Sequence, residues 1–382
     1  MLLLSAGAFF SGAALRVCDS LLPRLAGDFA ITAGTAGRVI ISFSVAYGLM
    51  QLVFGPLGDR FGKARVIGVS LAGCAAAALA CALAPGFESL VALRILWGMA
   101  AAGVIPLALA LIGDTVPYEH RQATLARLLI GILCGMTAGQ LAGGLFADAA
   151  PGWRGAFATL AAGYAVIAAL LIAAMRGHPP PVAAGAPLSF VPQLLRVLAV
   201  PWARVILLAV ALEGIFLLGP MAYFPAYLNA RHGLSLAAAS ALVALYAVGG
   251  LVYAVAARRL VQDWGERRMV LTGGVLTGGG LLAFWLSPWG LAAAPVTLVL
   301  GFGAYLLHNT LHTHATQMAP EVRGTAVALF AFCLFAGQAI GVSAAGAVLD
   351  RFGFAPVLGV PAAVLVVTGA WLARALASRA AG

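Results

Sequence analysis

Long runs of apolar residues separated by short polar gaps repeat along the whole chain. Twelve runs can be counted, at about 3–24, 36–57, 66–85, 89–112, 125–148, 154–175, 203–228, 235–257, 269–287, 291–316, 325–348 and 354–375. Each is near the roughly 20 residues that carry an α-helix across about 30 Å of hydrocarbon. Lipid offers no partners to bare backbone N–H and C=O groups, and a barrel strand would be about half as long. The pattern therefore predicts an all-α membrane protein with twelve transmembrane helices. The first run lies in MLLLSAGAFFSGAALRVC, which lacks the basic n-region of a signal peptide. Arg16 stands where a cleavage site needs small residues, so this run is read as the first span.

Composition agrees. The 382 residues are 63% hydrophobic and only 9% charged, against about 45–50% and 25% in soluble domains. The apolar runs leave no stretch for a separate soluble domain. The net charge of +10 would point to nucleic acid in a soluble protein. Here the basic residues fill the gaps between spans, where they orient helices, and a nucleic-acid partner is excluded. One set of connections receives about fifteen Lys and Arg, the other about five. That bias places both termini in the cytoplasm, in a bacterial inner membrane. Only Arg16 and Arg94 remain well inside spans. The five cysteines are odd in number, form no CxxC pair and read as small buried hydrophobes.

The longest connection, about 177–202, contains HPPPVAAGAPLS and divides the spans six and six. Its proline content predicts an extended cytoplasmic linker between bundles at 1–176 and 203–382. The halves also resemble each other. PYEHRQAT at 117–124 resembles PEVRGTA at 320–326, with Arg121 and Arg323 202 apart. Asp148 and Asp350 share that offset, and Gly62 and Gly265 are 203 apart. Such parallel repeats predict two six-helix bundles related by a pseudo-two-fold axis.

The stretch GPLGDRFGKARV, residues 55–66, concentrates charge beside glycines in the turn after the second span. It resembles the signature loop G-x-L-a-D-r-x-G-r-k of the major facilitator superfamily. Gly55, Leu57, Asp59, Arg60, Gly62 and Lys63 match, while Ala64 departs. The second copy is degenerate, with Gln262 in the place of Asp59. LVALRILWGMAAAGVIP resembles the family's span-four motif through Arg94, Gly98 and Gly103, with Trp97 for a polar residue. GMTAGQLAGG resembles its antiporter motif, with Gln140 replacing the proline, and CDSLLPRLAGDF resembles drug and sugar efflux members. The resemblance implies the drug/proton-antiporter and arabinose-efflux-like branch. In the loop, Gly55 is expected to allow close helix packing, Gly62 a turn at positive φ, and Asp59 a latch on the closed cytoplasmic side. Asp114, Glu119 and Arg121 at a cytoplasmic helix end are expected to form an interdomain charge network, and the gate is expected to comprise Gly55, Asp59, Arg60, Gly62, Lys63, Asp114 and Arg121.

Charges inside lipid are costly and mark candidate sites. Arg16 and Asp19 are three apart on one face of the first helix, either a neutralising pair or a proton and substrate site. Glu213 in the seventh span has no partner nearby in sequence and is the favoured proton carrier. Arg94 reads as part of proton coupling or as a snorkelling anchor. His308 and His312 share a face of the tenth span and could bond substrate, sense pH or simply pack near the cytoplasmic mouth; ligands for a metal are too few. Gln140, Tyr223, Tyr246, Asn309 and Gln338 are expected to line a cavity.

These features predict a secondary active transporter that exports a small organic molecule, a drug, sugar or metabolite, against protons by alternating access. Proton-linked uptake of a sugar or organic acid is the alternative. The sequence has no G-x-x-x-x-G-K-[ST] loop for nucleotide-driven pumping and no paired catalytic groups for a membrane enzyme or attached domain for a sensor. The expected partners are a small-molecule substrate, protons and membrane lipid, with no cofactor or metal, acting as a monomer.

Overall fold

The computed structural model describes residues 2–175 and 190–381, and its regular structure there is helical throughout. The helices are α1 (Leu2–Asp28), α2 (Ala33–Phe61), α3 (Lys63–Ala82), α4 (Phe87–Thr115), α5 (Tyr118–Asp148), α6 (Trp153–Ala174) and α7 (Pro201–His232). The following helical run, Leu236–Leu286, has 51 residues. At 1.5 Å per residue it is roughly 76 Å long, over twice the hydrocarbon thickness. Gly265, at φ 69°, breaks it into α8 (residues 236–264) and α9 (residues 266–286). Then follow α10 (Gly290–Ala315), α11 (Pro320–Phe352) and α12 (Phe354–Arg379). The twelve spans form two six-helix bundles. With twelve spans, the start of α1 and the end of α12 lie on one face, called the terminal face below, opposite a far face.

The repeat seen in sequence is carried down to backbone contacts. Gly135 and Gly139 of α5 lie against the backbone of Phe9 and Ala13 in α1. The same packing recurs 202 residues later, where Gly337 and Gly341 of α11 lie against Ala211 and Ile215 of α7. A Cβ at any of the four would run into backbone, so glycine there sets the helix separation. Gly62, at φ 87°, turns the chain between α2 and α3 as its mate Gly265 does between α8 and α9.

The first bundle packs around Trp97, Trp153, Phe157 and Tyr164, and the second around separate clusters that include Leu217 with Phe284 and Val210 with Leu311. Leu79, Val166 and Leu282 stay exposed on the outer surface, as suits a lipid solvent. Cys18, Cys74 and Cys81 are buried as expected, but Cys134 is exposed and Cys333 half-buried. A thiol is apolar enough to sit on such a surface.

Of the linker expected over 177–202, residues 177–189 lie outside the described residues. The remainder corrects the extended reading, because Phe190–Ala199 is a helix. The Pro-rich stretch ends before it, and Pro192 falls in its first turn, where proline is tolerated. Val197 is buried, and Thr325 of α11 donates to Gln193 at 2.6 Å, docking the helix on the second bundle.

The bundles meet through their far halves. Tyr47 of α2 lies edge-on to Phe335 of α11, with centroids 4.6 Å apart. Ser240 of α8 donates to Ser20 of α1 at 2.7 Å. Gly55, expected to pack closely, is exposed with open space where a Cβ would stand, and so is Gly324 near the start of α11.

Candidate functional site: buried charges at the bundle interface

Ionised groups inside a membrane protein persist when paired or shielded. In α1, Arg16 and Asp19 are one helical step apart and both buried, with Nη1 3.0 Å from Oδ2. The second carboxylate oxygen, Oδ1, is buried without a hydrogen-bond partner. Across the bundle, Arg94 of α4 is 1% exposed. Its Nε donates to the Val39 carbonyl at 3.0 Å, while Nη1 is also buried without a hydrogen-bond partner. The guanidinium lies 4.1 Å from the Phe43 ring centroid and 4.8 Å from that of Trp97. Aromatic faces thus shield its charge, and Trp97, which replaces a polar residue of the motif, supplies one of them. Burial this complete removes the snorkelling alternative for Arg94. Asp19 lies within electrostatic reach of both arginines.

The second bundle supplies the partner that sequence proximity withholds from Glu213. His308 Nδ1 of α10 is 3.0 Å from Glu213 Oε2, although 95 residues separate them. Glu213 is 4% exposed at its side chain and His308 29%, so the pair has a closed end and an open one. Directly after Glu213 the backbone forms a π-helical turn, Gly214–Leu218. Such wider turns are frequent at functional sites. His312 lies one turn beyond His308, with ring centroids 6.4 Å apart, and Phe330 contacts both rings. Asn309 donates to the Tyr253 hydroxyl at 2.7 Å. Tyr246 and Tyr305 sit 6.3 Å apart, and both feel Arg16 from one bundle and Glu213 from the other. Arg16, Glu213, Tyr246 and Tyr305 are therefore electrostatic neighbours across the bundle interface.

Gln140 is buried, and its Nε2 donates to Ser20, next to Asp19, at 2.7 Å. Tyr223 is buried between α7 and α11, where its hydroxyl donates to the Val342 carbonyl at 3.1 Å. Gln338 is buried on α11. At the terminal face, Lys63 pairs with Asp59 at 2.9 Å and with Asp114 at 2.6 Å. Arg121 donates to the Val116 carbonyl at 3.3 Å. These bonds lie within the first bundle. Arg60 stacks on the neighbouring Phe61 ring.

Sequence reasoning missed Ser20, Ser240, Tyr253 and Tyr305. Neutral polar residues carry no charge penalty to mark them. One signal existed, since Tyr305, His308, Asn309 and His312 follow the i, i+3, i+4, i+7 spacing of a single helix face.

A family model described as Major Facilitator Superfamily matches residues 4–342 and, in a second match, 230–381. An uncharacterized MFS-type transporter of Bacillus subtilis, YceJ, is 24% identical over 338 residues, covering 88% of this chain and 86% of the relative. A chloramphenicol resistance protein of Pseudomonas aeruginosa is 30% identical over 327 residues, covering 82% and 75%. In three dimensions the fold is similar to a D-xylose-proton symporter, with a TM-score of 0.79 at 14% identity, covering 97% and 95%. The charged site, the paired bundles and the signature loop thus have one setting: the chain belongs to the major facilitator superfamily.

Proposed function

We propose that this transporter exports a small organic molecule in exchange for protons, by alternately opening a site between bundles 1–176 and 203–382 to either side of a bacterial inner membrane. The observation that carries this reading is the Glu213–His308 pair, a buried acid with a partly exposed base at 3.0 Å, facing a site that Arg16 also reaches. Such a pair can hold a proton when the site is dry and release it when the site wets or the partner moves. Asp19 with Arg16 is the second proton-responsive carboxylate, and Arg94 is its further cation.

Export is supported by the relative named for chloramphenicol resistance and by the antiporter-like glycines at Gly135, Gly139, Gly143 and Gly144. The arginine-rich terminal face is taken as cytoplasmic, so the present conformation opens inward. Asp59, Arg60, Gly62, Lys63, Asp114 and Arg121 would then rearrange to shut that face. The fold shared with a proton symporter keeps uptake as the second reading.

Reconstituted vesicles with an imposed pH gradient test this, with chloramphenicol as first probe and a wider panel of amphipathic antibiotics after it. Proton movement opposite to substrate flux is the expected result. Movement in the same direction as substrate replaces export with symport, and flux indifferent to the gradient removes proton coupling.

A further inference from the structure

Asp148 ends α5 in the first bundle, and Asp350 lies near the end of α11 in the second. Each reaches across to the other bundle. Asp148 accepts from the backbone N–H of Leu236 at 3.2 Å and of Ala237 at 2.7 Å, in the first turn of α8. Asp350 accepts from the Gly34 N–H at 3.1 Å and from the Thr32 hydroxyl at 2.6 Å, where α2 begins. The helices they meet begin alike: Ser235 caps one and Thr32 the other, 203 residues apart. One turn before each carboxylate is a glycine, Gly144 or Gly346, whose missing side chain admits the opposite bundle. Gly144 meets Leu236 and Ser240, and Gly346 meets Gly34.

We infer that Asp148 and Asp350 form a two-point latch that holds the far face shut, and that both must release before the site can open there. A carboxylate at the unpaired N–H groups of a helix start is favoured by hydrogen bonding and by the helix dipole. Moving the bundles apart leaves both carboxylates and both helix starts to water. The latch is symmetric, whereas the terminal-face loop is not, with Asp59 in one copy and Gln262 in the other. Losing the latch therefore shifts the balance away from the conformation described here. This rests on the proposal that the bundles alternate, but it is read without transport.

The test measures nitroxide distances by double electron–electron resonance in nanodiscs, with Cys134 and Cys333 replaced by serine. One label pair sits at exposed far-face positions, Pro85→Cys with Pro288→Cys, and the other at exposed terminal-face positions, Arg65→Cys with Glu321→Cys. Asp148→Asn and Asp350→Asn keep the shape of the side chain and remove its charge. Each is expected to raise the far-face-open to far-face-closed ratio about 3- to 10-fold, and the double variant further, while terminal-face distances shorten. A double variant whose ratio stays within about twofold of the parent, or in which both distances lengthen together, overturns the latch. If distances shift as expected while vesicles show no transport, the latch stands and the transport proposal fails.

Discussion

Glu213 and His308 show what one side chain can decide. A carboxylate can gain and lose a proton, and a carboxamide cannot. Glu213→Gln keeps the shape and a hydrogen bond to His308 but fixes the group as neutral. It is expected to abolish pH-gradient-driven flux, by at least tenfold, while substrate exchange without a gradient persists. Paired vesicle assays of driven flux and exchange check this; driven flux at the parental rate would move the carrier role to Asp19. The charged members of the site were legible in the sequence, because Arg16, Asp19, Arg94 and Glu213 stand out inside apolar runs. Their pairings were legible only where local: Arg16 with Asp19 is a helical step, but Glu213 with His308 needs two helices to meet. The partners of Gln140 and Tyr223 were hidden for the same reason. Polarity says that a buried side chain needs a partner, not whether that partner is a ligand or another helix.

Helices were more legible than their contacts. Each span follows from about 20 apolar residues, and even the break at Gly265 was visible through its mate Gly62. The helix Phe190–Ala199 was hidden because the prolines upstream dominated the reading of its segment. Glycine's part in helix packing yields a paired prediction. At Gly139 an added Cβ would meet the Ala13 backbone of α1, whereas at Gly279 of α9 it would meet open space. Gly139→Ala must push α1 and α5 apart and is expected to cost about 1–3 kcal/mol. Gly279→Ala relieves helix entropy at no steric cost and should be neutral or stabilising by up to about 1 kcal/mol. Thermal unfolding in one detergent ranks the two; equal Tm values would remove close packing at Gly139 as a determinant of the α1–α5 crossing.

At the scale of the whole molecule, two bundles meet through a far-half interface of side-chain contacts and capped helix starts, where Tyr223, Leu236 and Val342 of the second bundle join the core of the first. A covalent tie between such units mainly raises their effective concentration. Cutting the chain between residues 189 and 190 should therefore leave two fragments that reassemble. The helix Phe190–Ala199 belongs with the second fragment, since Val197 is buried and Gln193 accepts from Thr325 of α11. Co-expressed 1–189 and 190–382 are expected to co-purify and to transport within about tenfold of the intact chain, while neither alone transports. A second fragment that starts at Pro201 loses the docked helix and uncovers the apolar surface under Val197, so it should assemble less well. Co-purification yield and pH-driven flux in vesicles measure both pairs. If 201–382 complements as fully as 190–382, the helix is only a tether, and its docking on α11 contributes nothing to the second bundle.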